Sequence, residues 1–159
     1  MEIKKVSIIG LGALGILYGN HFLNNMPKED LRILADKKRV KKYKQNGIYC
    51  NGEKCDFKYV TPDIERNPTD LMIFSVKYEG LKDAIKSVEN QIGDNTIIIS
   101  TLNGIVSEEE IGEAYGVDKV VYCVAQGMDA LKKGNELTYH NIGNLCIGEL
   151  NGEEPSKKS

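Results

Sequence analysis

Val6-Ser7-Ile8-Ile9-Gly10-Leu11-Gly12-Ala13-Leu14-Gly15 is the stretch whose reading decides the fold. A β-branched, apolar run leads directly into G-x-G-x-x-G, and a helix-compatible apolar segment follows through Leu23. In a strand–turn–helix unit of this kind each glycine has its own reason. Gly10 permits the tight turn off the strand, Gly12 lets backbone approach a pyrophosphate, and Gly15 lets the helix lie close to the sheet. Leu11, Ala13 and Leu14 fill the turn between them. The helix that starts here points free N–H groups and the positive end of its dipole at the phosphates. The hexapeptide alone is a weak signal. Its context strengthens it: strand before, helix after, and an acidic residue, Asp36, 21 positions beyond Gly15 at the end of a second strand pattern.

Working outward, residues 3–9 read as the first, central strand and residues 13 to about 25 as the first helix, which Pro27 stops by removing a donor and crowding the previous turn. Residues 31–35 are the second strand. Six of the eight residues 37–44 are basic, with Val40 and Tyr43 on one face. They read either as a short solvated helix or as a cationic patch beside an adenosine ribose. Residues 47–52 and 55–60 read as two short strands around the Asn51-Gly52 turn. Residues 71–76 are a continuous apolar strand of the kind buried on both faces of a parallel sheet. A helix is expected over 79–91, a strand over 96–101, and a helix opened by a capping box at Ser107 and reaching about Tyr115. Another strand spans 120–125, followed by short antiparallel edge strands. The tail, 150–159, has no apolar anchor and is expected to be disordered. Strands alternating with helices predict an α/β fold of the Rossmann type: a doubly wound, mostly parallel sheet with helices on both faces and a few antiparallel strands near the C-terminus.

Composition narrows the function. The 159 residues suffice for about one domain with a real core. A formal net charge of −2 gives no support for a nucleic-acid partner, which usually shows a basic excess. Lys4 and Lys5 before an apolar run imitate a signal peptide, but three glycines interrupt that run and no small-x-small cleavage site follows. No apolar stretch approaches the ~20 residues that span a bilayer. Cys50, Cys55, Cys123 and Cys146 form no C-x-x-C pair, and only His21 and His140 accompany them, so no metal site is expected. Scattered thiols fit a reducing, cytoplasmic setting.

Three residues fall at the carboxyl ends of predicted strands, where an open α/β sheet binds its ligand. Asp36 is suited to accept hydrogen bonds from both ribose hydroxyls of an adenosine, which favours NAD(H); a 2′-phosphate there would be repelled unless Lys37, Lys38 or Arg39 offset the charge. The alternative is a plain turn aspartate. Lys77 is suited to a ribose hydroxyl, a phosphate or a substrate carboxylate, or is simply solvated. Asn103 offers a donor and an acceptor where a nicotinamide ring would lie, or merely ends a strand. Neither histidine falls at such an end. Carbonyl reduction needs a proton donor for the developing alkoxide, and no catalytic residue of this kind is found on the chain.

With Gly10-Leu-Gly-Ala-Leu-Gly15, Ser75-Val-Lys77 and Leu102-Asn103-Gly104 at these intervals, the chain resembles the N-terminal domain of ketopantoate reductase (2-dehydropantoate 2-reductase) over residues 3 to about 149. The segment 129–135, with Lys-Lys-Gly-Asn, resembles that family's strand connection. The resemblance implies that 10–15 binds the pyrophosphate of NADP(H), that Lys77 and Asn103 line the cleft on the cofactor, and that Asn103 also meets the substrate, a small 2-oxo acid. Asp36 departs from the family's frequent arginine and leaves NAD(H) open. The family's helical substrate domain, which supplies the catalytic lysine, does not lie within 1–149, so such a domain is expected in cis or in trans. The reading is thus a cofactor-binding domain of a reductase, inactive by itself, with a non-catalytic dinucleotide-sensing module as the alternative.

Overall fold

Every residue of β1 (Val6–Ile9) is buried, and its side chains divide between two apolar layers. The computed structural model describes residues 2–148. In chain order β1 is followed by α1 (Ala13–Asn25), β2 (Leu31–Leu34) and α2 (Lys37–Asn46). Next come β3 (Tyr49–Cys50), β4 (Glu53–Lys54), β5 (Tyr59–Val60), β6 (Leu71–Phe74) and α3 (Leu81–Ser87). Then follow β7 (Ile97–Ser100), α4 (Val106–Tyr115), β8 (Tyr122–Gln126), β9 (Leu131–Lys133), β10 (Glu136–Thr138) and β11 (Asn144–Gly148). The main sheet has the order β5-β2-β1-β6-β7 and is parallel throughout.

Both faces of this sheet are apolar because both are covered. Val6, Ile8, Leu31, Ile33, Leu71, Ile73, Ile97 and Ile99 share one layer with Ile16 and Leu17 of α1. The intervening Ile9, Leu34, Met72, Phe74 and Ile98 share the other with Leu81 and Ala84 of α3 and Ile111 of α4. This is a doubly wound α/β sheet of the Rossmann type, as the sequence predicts. α1 is covered beyond the main sheet too, and Phe57 wedges in beside it: a Cβ on Gly19 would stand 3.0 Å from the Phe57 ring and 3.6 Å from Ile8 of β1. The covering layer is a second sheet, order β4-β3-β10-β9, whose Cys50 and Leu137 join the α1 core. β8 enters beside β7 through Val121 N–H to the Ile98 carbonyl, 2.9 Å, and pairs antiparallel with β11.

Three expectations are corrected in detail. The Asn51-Gly52 turn does close a hairpin, with φ of +50° and +79° at those residues, but the hairpin is only β3–β4. Residues 55–60 are not its second strand: Cys55 and Phe57 are buried against α1, and Tyr59–Val60 pairs parallel with β2. The expected 79–91 helix is α3 flanked by two 3-10 turns, the second of which carries Gln91 inward to accept from Arg32 Nη1 at 2.6 Å and Ser7 Oγ at 3.1 Å. Ser107 opens no capping box. It lies inside α4, buried, and its hydroxyl is committed to Ser100 and Glu108. The late strands do pair antiparallel as expected, β9 with β10 and β8 with β11, and β10 also pairs parallel with β3. The tail 150–159 lies outside the described residues.

Candidate functional site

The chain leaves β1 toward β2 on one side and returns as β6 on the other, which opens a crevice above the carboxyl end of β1. Gly10 turns the chain there with φ +96°, a backbone conformation that L side chains rarely adopt. A Cβ on it would stand 2.6 Å from the Ser75 carbonyl oxygen. One on Gly15 would stand 2.1 Å from the Gly10 carbonyl oxygen, so α1 rests directly on the turn. Gly12 has an ordinary φ of −68° and a single near neighbour, the Ser75 oxygen at 3.2 Å. Gly12 is also the N-cap of α1. No side chain caps that end and its first turn has no acidic residue. The first helical bond closes from Ile16 N to Gly12 O, 3.0 Å, which leaves the amides of Ala13, Leu14 and Gly15 without a helical acceptor. Leu11, between the first two glycines, is buried.

The other sequence-predicted residues stand along the same edge. Asp36 follows β2 and caps α2: its Oδ1 accepts from Arg39 N at 2.8 Å, and its Oδ2 lies 3.5 Å from Arg39 Nη1. Lys37 reaches Asp63 at 3.4 Å. Two of the three cations named as partners for a 2′-phosphate are therefore already paired with carboxylates. Lys77 follows β6 and Asn103 follows β7, both exposed. The two exits are tied by Ser75 Oγ and Thr101 Oγ1, 2.9 Å apart.

Behind Asn103 runs a buried polar chain that sequence reasoning missed. Leu102 N donates to Ser100 Oγ at 3.2 Å, the Ser100 and Ser107 hydroxyls are 2.8 Å apart, and Ser107 donates to Glu108 Oε2 at 2.9 Å. A hydroxyl has one proton to give, so the donors run from Leu102 through both serines to the Glu108 carboxylate. Cys123 Sγ donates to the Ser100 carbonyl, and burial, with Glu108 nearby, pushes this thiol up to about 11. It is no nucleophile. At the rim, Tyr78 donates its phenol proton to Glu110 Oε1 at 2.7 Å, which raises the Tyr78 pKa.

Lys132 of β9 reaches this edge as well. Its Nζ donates to the Leu11 carbonyl at 2.9 Å, inside the glycine turn. Burial, then Lys77 and Lys42, lower its pKa. No local signal marks it, because the contact joins residues 121 apart. His21 lies on α1 and His140 after β10, both exposed and off the edge. Among the described residues no cluster could hold a metal ion, and no helix is long and apolar enough to cross a membrane.

Residues 6–152 match the family described as ketopantoate reductase PanE/ApbA. The chain is 29% identical to the 2-dehydropantoate 2-reductase of Aquifex aeolicus over 154 residues, 95% of this chain and 48% of that protein. It is 24% identical to the uncharacterized oxidoreductase YkpB of Bacillus subtilis, over 96% of this chain and 51% of that one. The chain thus spans about half the length of the curated relatives it matches. Among solved structures, 2-dehydropantoate 2-reductase from Geobacter metallireducens superposes with a TM-score of 0.72 at 21% identity, over 94% of this chain and 50% of that one. A D-mandelate dehydrogenase in complex with NADH gives 0.74 at 18% identity, over 96% and 49%. At such identities these likenesses establish the fold.

Proposed function

The chain belongs to the ketopantoate reductase PanE/ApbA family, and from that premise we propose that it is the cofactor-binding part of an NAD(P)H-dependent reductase. The substrate is a small 2-oxo acid, 2-dehydropantoate, reduced to pantoate in the cytoplasmic route to pantothenate and coenzyme A. One observation carries the cofactor half of this reading. The uncapped start of α1 and the glycine turn form a cradle of unpaired amides, with no acidic side chain in the first turn and with Lys132 beside it. That donor set suits a pyrophosphate.

The cofactor supplies hydride when bound; the chain's residues bind and orient. In this reading Gly10, Leu11, Gly12, Ala13, Leu14 and Gly15 hold the pyrophosphate, Asp36 faces the adenosine ribose, Lys77 stands on the cofactor side, and Asn103 meets both nicotinamide and substrate. Family membership favours NADP(H), and Asp36 favours NAD(H). A helical substrate domain, in cis or in trans, completes the cleft.

The test is calorimetric titration of the chain with NADPH and NADH, beside Gly12→Val. The wild type is expected to bind at least one dinucleotide. The valine fills the approach that Gly12 leaves open and should lower affinity by at least about a hundredfold, roughly 2.7 kcal/mol, while the far-ultraviolet circular dichroism stays unchanged. Equal affinity in wild type and variant, or no binding by the wild type, overturns the reading.

A further inference from the structure

Lys132 is placed as few surface lysines are. Its ammonium rests on a neutral carbonyl, that of Leu11, at 2.9 Å. The charged neighbours that shift it are two more cations, Lys77 from the β6 exit and Lys42 from α2, with no carboxylate among them. Partial burial disfavours its charge further. No carboxylate is among the groups that shift it, and an anion bound here would offset the clustered positive charge. The ammonium has three donors and Leu11 takes one. Leu11 lies between Gly10 and Gly12, so the ammonium stands at the glycine turn with two donors to spare.

We infer that Lys132 is a phosphate-binding residue of the dinucleotide site: docked on the Leu11 carbonyl, it completes the glycine turn from the β9–β10 hairpin and grips the pyrophosphate common to NADH and NADPH. The inference rests on the dinucleotide reading above. It assigns the second sheet a part in binding as well as in covering α1, since β9 is held to β10 and β10 to β3.

The experiment is calorimetric titration of the whole chain with NADPH, NADH and ADP-ribose at low and high salt. Wild type is compared with Lys132→Gln, Lys132→Arg and, as a neighbouring control, Lys133→Gln. Lys132→Gln is expected to weaken all three ligands by a similar factor, about ten- to thirtyfold at low salt, as loss of a charge-assisted hydrogen bond implies. Its affinities should also depend less on salt than the wild type's. Lys132→Arg should stay within about threefold and Lys133→Gln within about twofold. Unfolding temperatures measured without ligand report whether each variant is folded. Unchanged affinity in Lys132→Gln overturns the inference, as does a loss confined to NADPH, which would assign the lysine to the 2′-phosphate. So does an equal loss in Lys132→Arg, which would make the contribution one of packing. A wild type that binds none of the three ligands defeats the dinucleotide reading itself, a failure visible before any variant is compared.

Discussion

In the proposed site Asp36 answers two demands with one carboxylate. Its Oδ1 satisfies Arg39 N, an orphan donor of the first turn of α2, and its place after β2 is where an adenosine ribose would be read. These uses are compatible, because a carboxylate accepts several hydrogen bonds. A 2′-phosphate fits worse, since Lys37 and Arg39 already serve Asp63 and Asp36. Asp36→Arg removes one negative charge, adds a positive one and frees Arg39. The NADH-to-NADPH affinity ratio should then move toward NADPH by about ten- to a hundredfold, or ~1–3 kcal/mol. The lost cap should cost ~1 kcal/mol of stability. A ratio that stays put in the variant would remove Asp36 from the ribose. What the sequence showed at this scale was local. Gly10 and Gly15 were legible because their spacing encodes the turn itself. Lys132 was not, because the Leu11 carbonyl it meets is 121 residues away. Ser107 was misread because a cap and a buried hydroxyl relay ask for the same small alcohol.

At the scale of elements, apolar runs at strand length gave the four central strands of the sheet, since a strand covered on both faces has no polar alternation to confuse it. Residues 55–58 read as strand for the complementary reason: Cys55 and Phe57 are buried against α1, and burial alone does not make a strand. The late segment is held by local polar contacts that hydropathy does not register. Asp129 accepts from His140 N and Asn141 N, both at 2.8 Å, and its own N–H donates to the Asn141 carbonyl, tying the start of β9 to the approach to β11. Those amides hold the carboxyl of Asp129 below its ordinary value. A depressed native pKa stabilises the fold above the unfolded pKa and loses that contribution as pH falls through the native one. Melting temperature should therefore fall as the pH drops from about 5 through and below the ordinary carboxylate range. Asp56 and Asp63, also depressed by their partners, share in that fall. Asp129→Asn should melt a few degrees lower at neutral pH and show a shallower acid slope. Identical slopes for wild type and variant would deny Asp129 this part.

The molecule as a whole, in the proposed reading, presents a cofactor cradle whose remaining chemistry is thin. Along the carboxyl edge stand amides, Asp36, Lys77, Asn103 and Lys132, while the phenol of Tyr78 is committed to Glu110 and the relay behind Asn103 ends in a buried carboxylate. Glu108 can fix the Leu102-Asn103 loop through the two serines, but at 2% exposure it cannot meet a ketone. A ketone that receives hydride must take a proton at its oxygen. With Lys77 and Lys132 given to the cofactor in the proposed site, no further proton donor is positioned on this edge among the described residues, and lacking one forfeits about 10²–10⁴-fold in rate. Holding substrate against cofactor contributes further, since a bound near-attack geometry replaces a chance encounter. Relatives roughly twice as long have chain enough to supply both. The 159-residue chain should accordingly bind dinucleotide yet leave 2-dehydropantoate unreduced, measured as the loss of reduced-nicotinamide absorbance. Adding a helical substrate domain from a full-length relative, fused or in trans, should restore turnover. In the restored enzyme Asn103→Ala should chiefly raise KM for the oxo acid, and Lys77→Ala should chiefly raise KM for the cofactor. Saturable turnover by the 159-residue chain alone would overturn the prediction and place a proton donor along this same edge. Tyr78, released from Glu110, would then be the first residue to replace, with phenylalanine.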